Sequence, residues 1–484
     1  MTGVLRVRSA ADFDRTKMGL VARTATRVVL EPALLAHVAA NRASVLTALD
    51  GDHAVYGVNT GMGALAGIRL DAESRARHQD TLMAGRAVGS APWLRREQAR
   101  AVLAVRLRTL LHPAAGVSPE LCVRLADLLN ADVVPAIPAR GGGAAGEIIP
   151  LAHAGAVLIG TGQVLDAAGS AVDAGPVLAA AGLRPGSFGA KEGVAFLEGV
   201  PGLTGLALLA TDEVRVLVGQ VVAVAGAAQA VVGASADPLR PQLAFGDDDL
   251  GTVNAALLAA RGDGPARALQ APVSFRVTGP ALAVVVRAVA ALEAAVERAL
   301  TGVTDSPAHL DGRFYGTAGF AGTDLAAACA ALTTALTHLA EIGAARLHRL
   351  LDPAVTGLPK QLSDAPGVHA GMVAVHKRAA GVAHRMRRFA MPALIGAMET
   401  SGGQEDVQSF GFEAAECLGE TVDGLRDVLA CELLAVHQAG LLSGAVAPIL
   451  PAGVLPGGTA DRPFGRDLDV LVELLRAGWA SSVS

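Results

Sequence analysis

Aromatic side chains are scarce in this 484-residue chain: two Trp, two Tyr and 11 Phe make up 3% of it, although 52% of its residues are hydrophobic. That balance excludes a core of stacked rings. Burial must come from Ala, Val, Leu and Gly, whose small volumes let helix backbones approach closely, as in a packed helical bundle. Lysine is scarce too, with only Lys17, Lys191, Lys360 and Lys377. The net charge is −5 and no basic stripe is present, which speaks against a nucleic-acid partner. Cys122, Cys329, Cys417 and Cys431 are scattered, without a CxxC pair or a histidine at ligand spacing. They read as structural thiols in a reducing compartment, and no metal site is expected. The N-terminal stretch, with Asp12, Asp14 and several Arg, lacks the apolar run of a secretory signal, so the expected location is the cytoplasm.

Long uncharged runs are also few. The longest is residues 216–236, long enough in principle to span a bilayer. It carries Gln220 and Gln229 and is rich in Ala and Gly, without aromatic flanks. It reads as a buried helix of a soluble protein, with no membrane partner.

What is present is mostly helical periodicity. Residues 98–111 place Leu103, Leu107, Leu110 and Leu111 on one side, and a second helix is expected over 119–130. Further helices are expected over 216–236, 281–300, 324–351, 369–388 and 413–441, and Pro-Gly pairs at 185, 366 and 456 punctuate the set. The expected fold is mainly α. Residues 1–200 form a mixed N-terminal region with two glycine-rich loops, and residues 201–484 a long-helix bundle.

The loops are Tyr56-Gly-Val-Asn59-Thr-Gly-Met-Gly63 and Arg140-Gly-Gly-Gly-Ala144-Ala145-Gly146. Neither ends in the lysine of a phosphate-binding loop, and the first lacks the context of a dinucleotide fingerprint. Taken in order with Gly143-Ala-Ala-Gly-Glu147-Ile-Ile-Pro-Leu-Ala-His153, Lys191-Glu-Gly193, Gln270-Ala-Pro-Val-Ser-Phe-Arg276, Glu341-Ile-Gly343, Gly357-Leu-Pro359 and Ser401-Gly-Gly-Gln-Glu405-Asp406, they resemble the aromatic amino acid ammonia-lyases, the histidine and phenylalanine ammonia-lyase family. The resemblance runs from Tyr56 to Ser409.

It implies an ammonia-lyase-like helical fold, a homotetramer and an amino acid substrate. In that family an Ala-Ser-Gly tripeptide cyclises and loses water to give 4-methylideneimidazol-5-one (MIO), an electrophile that captures the substrate amine. Here the tripeptide is Ala144-Ala145-Gly146, and alanine has no β-hydroxyl to eliminate. The loop is also about one residue shorter than the family spacing. The expectation is therefore that MIO does not form and that no cofactor is used.

Other departures accompany this one. Val273 stands for a second tyrosine, Glu198 for the asparagine that supports the cofactor, and Gly319 and Gly403 for two further asparagines. Arg86 occupies the position that selects the substrate ring. By resemblance, Tyr56 is the base and Arg276 holds the substrate carboxylate, where a guanidinium fits bidentately. Glu405 joins the catalytic set, and Asn59 and Gln270 the binding set. Arg276 or Arg86 is expected to lower the Tyr56 pKa. Arg86 and Glu198 either read a charged substrate or neutralise each other.

The expected activity is elimination, addition, isomerisation or cyclisation on a charged amino acid or related carboxylate. Two alternatives stand beside it: an MIO ammonia-lyase carrying alanine in place of serine at 145, and a non-catalytic paralogue acting as a binding protein. Lys191 as a Schiff-base nucleophile has nothing near it to mark a pyridoxal phosphate site, and His153 reads as structural.

Overall fold

The computed structural model describes residues 3–51, 53–142, 145–396, 398–444 and 448–480. Helix accounts for 61% of the chain, so the mainly α expectation holds. Among the described residues, strands form only three two-stranded sheets. Val4–Val7 pairs parallel with Arg27–Leu30, Gln163–Leu165 antiparallel with Ala171–Asp173, and Ala308–Leu310 antiparallel with Arg313–Tyr315. These short pieces were not expected; strands of three or four residues are too brief to show an alternating pattern.

The chain folds into two compact units. The first comprises Met1–Leu209, Leu292–Cys329 and Pro392–Glu416, and the second Ala210–Ala291, Ala330–Met391 and Cys417–Ser484. A division at residue 200 follows the chain, whereas these units interleave along it, because the long helices Pro201–Val232, Thr278–Thr301, Thr323–Leu350 and Gly411–Ser443 each contribute to both.

In the first unit, Arg96–Leu110 is buried along nearly its whole length. Small residues do the work expected of them. A side chain on Gly205 would meet the backbone of Ala101 at 3.0 Å, and one on Gly193 would meet the Gln79 backbone at 2.6 Å, so these helices pack backbone to backbone. In the second unit, Arg346 and Glu432 form a bidentate pair (2.6 and 2.7 Å), and Arg346 also donates to Thr278 Oγ1 (2.9 Å). All three side chains are buried, and they tie three long helices together.

Three helical stretches are long and apolar enough to cross a membrane by length and composition: Glu192–Val232, Thr278–Thr301 and Gly319–Leu350. Reading only uncharged runs found the first alone, because single charges such as Arg287 interrupt the others. Half to two-thirds of each apolar window is buried within the protein.

Candidate active site

The Tyr56 loop is held from within. Asn59 Oδ1 accepts from the Val55 amide (2.8 Å) and from Arg69 (3.2 Å), and its Nδ2 donates to the His53 carbonyl (2.9 Å). Both ends of the Asn59 amide are thus spent on the turn. Gly63 has φ +57°, and a side chain there would meet Ser401 Oγ at 2.9 Å, so the loop closes tightly on the Ser401–Glu405 segment. The Gly63 amide donates to the Tyr56 hydroxyl oxygen (2.8 Å), which leaves the phenolic proton free to go elsewhere. Glu405 is fixed by Thr400, whose hydroxyl donates to its Oε2 (2.5 Å).

Two more ionisable groups act electrostatically on the same tyrosine. Arg86 ends the Ala72–Arg86 helix and is half-buried; Glu198 follows the Glu192–Leu197 helix and is buried. Among the described residues, neither side chain makes a hydrogen bond or an ion pair, with the other or with anything else, yet each acts electrostatically on the other and on Tyr56. The supporting elements are braced by residues that sequence reasoning missed. Gln79 donates to the Gly57 carbonyl (2.9 Å) and accepts from the Val194 amide (3.1 Å), which links the tyrosine loop, the Arg86 helix and the Glu198 helix. Arg106, fully buried, donates to the carbonyls of Ala195 (3.1 Å) and Glu198 (2.6 Å). An arginine on the same helical face as Leu103, Leu107 and Leu110 was a readable signal for Arg106; nothing in the sequence singled out Gln79.

Electrostatics correct one expectation. The Tyr56 pKa is raised, not lowered. Burial is the main cause, Glu198 and Glu405 add to it, and the Gly63 amide and Arg86 oppose it without prevailing. Burial also lifts Glu198 to about 8, with Glu405 and Asp305 adding to it against Arg106 and Arg86, so Glu198 is mostly protonated at neutral pH.

The glycine-rich loop lies against this cluster. Gly143 and Ala144 fall outside the described residues; Ala145 is buried, and Gly146 has φ +87°. A side chain on Gly146 would sit 3.7 Å from the carbonyl oxygens of Gly199 and Phe320, which places the loop beside Glu198. Glu147 anchors it by accepting from the Gly202 and Leu203 amides (2.5 Å each), so one buried carboxyl caps the Pro201–Val232 helix. The departure at 319 is built into the backbone, because a side chain there would run into the Val303 carbonyl oxygen.

Gln270 and Arg276 belong to the second unit, where they line a cavity of about 580 Å³ with Ala271, Val273 and Gly357. Gln270 is exposed. Arg276 donates Nε to the Ala271 carbonyl (3.0 Å), and among the described residues its terminal nitrogens are unbonded. Lys191 is buried and donates to Asp305 (3.2 Å) and the Ala115 carbonyl (2.6 Å), a structural post. His153 Nε2 accepts from the Gly89 amide (3.0 Å). No group of three or more His, Cys, Asp or Glu among the described residues is placed to hold a metal ion.

This long-helix scaffold, with a tyrosine hydroxyl, an arginine and a carboxyl that bond to no described side chain, is that of an enzyme of the lyase class, as its relatives show. Residues 15–450 match the aromatic amino acid lyase family, and the chain belongs to it. It is 31% identical to histidine ammonia-lyase of Rhodospirillum rubrum (94% of this chain, 93% of the relative) and 33% identical to that of Streptomyces coelicolor (95% and 94%). A ligand-bound tyrosine aminomutase mutant is similar in structure, with a TM-score of 0.90 and 25% identity, covering 99% of this chain and 98% of the other.

These relatives overturn the expectation of a cofactor-free chain. Histidine and tyrosine ammonia-lyases and aminomutases carry MIO, so working without it is not a property of the family this chain joins. Ala145 stands in the serine position of the tripeptide.

Proposed function

We propose that the chain is a lyase or mutase of an amino acid whose side chain carries charge. Tyr56 moves the proton beside the amino-bearing carbon. Arg86 and Glu198 read the charged side chain, and Arg276, in the second unit, keeps the carboxylate-binding role that the resemblance implies. The observation that carries this reading is that the Arg86 guanidinium and the Glu198 carboxyl, both acting electrostatically on Tyr56, bond to no described residue. Unpaired charge taken out of water is costly and persists where a ligand repays it.

The raised Tyr56 pKa adds to the argument. A base needs its phenolate, and two acids oppose it. A substrate ammonium or guanidinium near Glu198 and Glu405 offsets them, while Arg86 and the Gly63 amide steady the phenolate oxygen. Binding a cation thus prepares the base. A phenyl ring offers no such compensation and leaves the Arg86 guanidinium and the Glu198 carboxyl without partners.

The test is turnover of a panel of amino acids followed by proton NMR. Histidine and other charged amino acids are expected to be consumed, with phenylalanine inert. Arg86→Met and Glu198→Gln should relax that preference, and equal rates for phenylalanine and charged substrates would count against the assignment.

The same proposal takes the chain as a soluble cytoplasmic enzyme that self-associates, as the resemblance implies. Leu269 and Val273, large apolar side chains exposed at 94% and 58%, flank Gln270 and Arg276 and suit cover by a second copy.

A further inference from the structure

A second cavity, of about 170 Å³, lies in the first unit between the Pro119–Asn130 and Ile148–Leu158 helices and the Ala174–Ala180 helix. Leu128, Leu158 and Leu178 supply an apolar part of its wall, while Arg124 and Asp127 from one helix, together with Arg184, line the rest. At roughly 30 Å³ per water, it has room for about five waters or one small molecule.

The charges at this cavity are unusual in what they do not do. Arg124 and Asp127 are three apart on a helix, where opposite charges ordinarily meet. Among the described residues they do not pair. The Arg124 guanidinium donates once, to the Ser187 carbonyl (2.9 Å), and its buried Nε has no partner. The Asp127 carboxylate accepts no hydrogen bond from any described residue. Burial raises its pKa, and Arg27 acts on it only from a distance. The space for the guanidinium is made by Gly186, where any side chain would collide with Arg124. Arg124 and Asp127 are therefore held apart, each with unspent bonding capacity, beside the leucines and Arg184.

We propose that this cavity is a second, non-catalytic binding site for a small zwitterionic α-amino acid. The carboxylate lies on Arg124 and Arg184, the ammonium on Asp127, and a short aliphatic side chain against the leucines. A simple anion or a simple cation meets only one of the two signs of charge at this cavity and leaves the other to solvent. This inference does not depend on the activity proposed above, because it concerns binding and uses none of the residues around Tyr56.

The experiment is equilibrium dialysis of the full chain against radiolabelled alanine, with propionate and ethylamine as single-charge probes. Saturable alanine binding is expected, about tenfold or more tighter than either single-charge probe. Asp127→Asn and Arg124→Gln should each weaken alanine binding by a similar factor and leave amino acid turnover unchanged. Asp127 is half-exposed, so its replacement by asparagine keeps the fold even if the arginine variant does not. No alanine binding, equal binding of propionate, or alanine binding unaltered in Asp127→Asn would each overturn the proposal. A wild-type chain that binds alanine as expected yet turns over no amino acid would instead put the catalytic reading at fault and leave this site standing.

Discussion

Tyr56 and Glu198 carry opposite burdens at neutral pH. The tyrosine must lose a proton that burial makes it keep, and the glutamate keeps one that a surface carboxyl would have lost. Replacing Tyr56 with Phe removes the proton acceptor and keeps the ring. Turnover should fall by about 10²–10⁴-fold with KM changed far less, measured by initial rates on the best substrate of the panel. Glu198 also sets a pH dependence of stability. Its folded pKa, about 8, lies above its ordinary value of 4.5, so the folded state holds this proton more tightly than the unfolded chain does. The resulting stabilisation is complete below about pH 4.5 and is lost as pH rises through about 8. Glu147, lifted by burial to about 7, acts in the same direction. Denaturant melts at pH 5, 7 and 9 should show stability decreasing with pH, and Glu198→Gln should flatten the slope. A wild-type protein equally stable at pH 5 and 9 would show that these acids are not buried in this way.

The long helices were legible because each repeats its apolar residues at helical spacing. Residues 281–300 and 324–351 differ from the observed Thr278–Thr301 and Thr323–Leu350 by three residues or fewer at each end. The run at 216–236 was legible only in its second half. The Pro201–Val232 helix begins where Glu147 caps it, a partner more than fifty residues earlier that no local pattern announces. Polar braces were hidden for the same reason: a glutamine such as Gln79 carries no period, and its worth lies wholly in what folding brings to it. The Arg346–Glu432 pair is the strongest such brace in the second unit. Arg346→Met leaves a buried carboxylate unpaired and should cost about 3–5 kcal/mol of stability in chemical denaturation. Adding Glu432→Leu should recover much of that loss, because the pair is then replaced by apolar volume. A single variant as stable as the wild type would mean that the pair is solvated.

At the scale of the whole molecule, the order of short motifs from Tyr56 to Ser409 was enough to assign the family, because so many coincidences in one order do not arise by chance. The same motifs misled about the cofactor. Ala145 and the shortened loop around it point away from MIO, whereas the relatives carry it. The partners of Arg86 and Glu198 were also beyond the sequence. Only the fold shows that Arg86 and Glu198 both act on one tyrosine without bonding to each other. A chain of 48.7 kDa with Leu269 and Val273 exposed should run as a tetramer in size-exclusion chromatography with light scattering, and a monomer would contradict self-association. The most direct test of the central claim is the ratio of kcat/KM for a charged amino acid to that for phenylalanine, compared between the wild-type protein and Glu198→Gln. The account predicts a ratio well above one that falls by about tenfold or more in the variant. A ratio near one, or one that Glu198→Gln leaves unchanged, would contradict it.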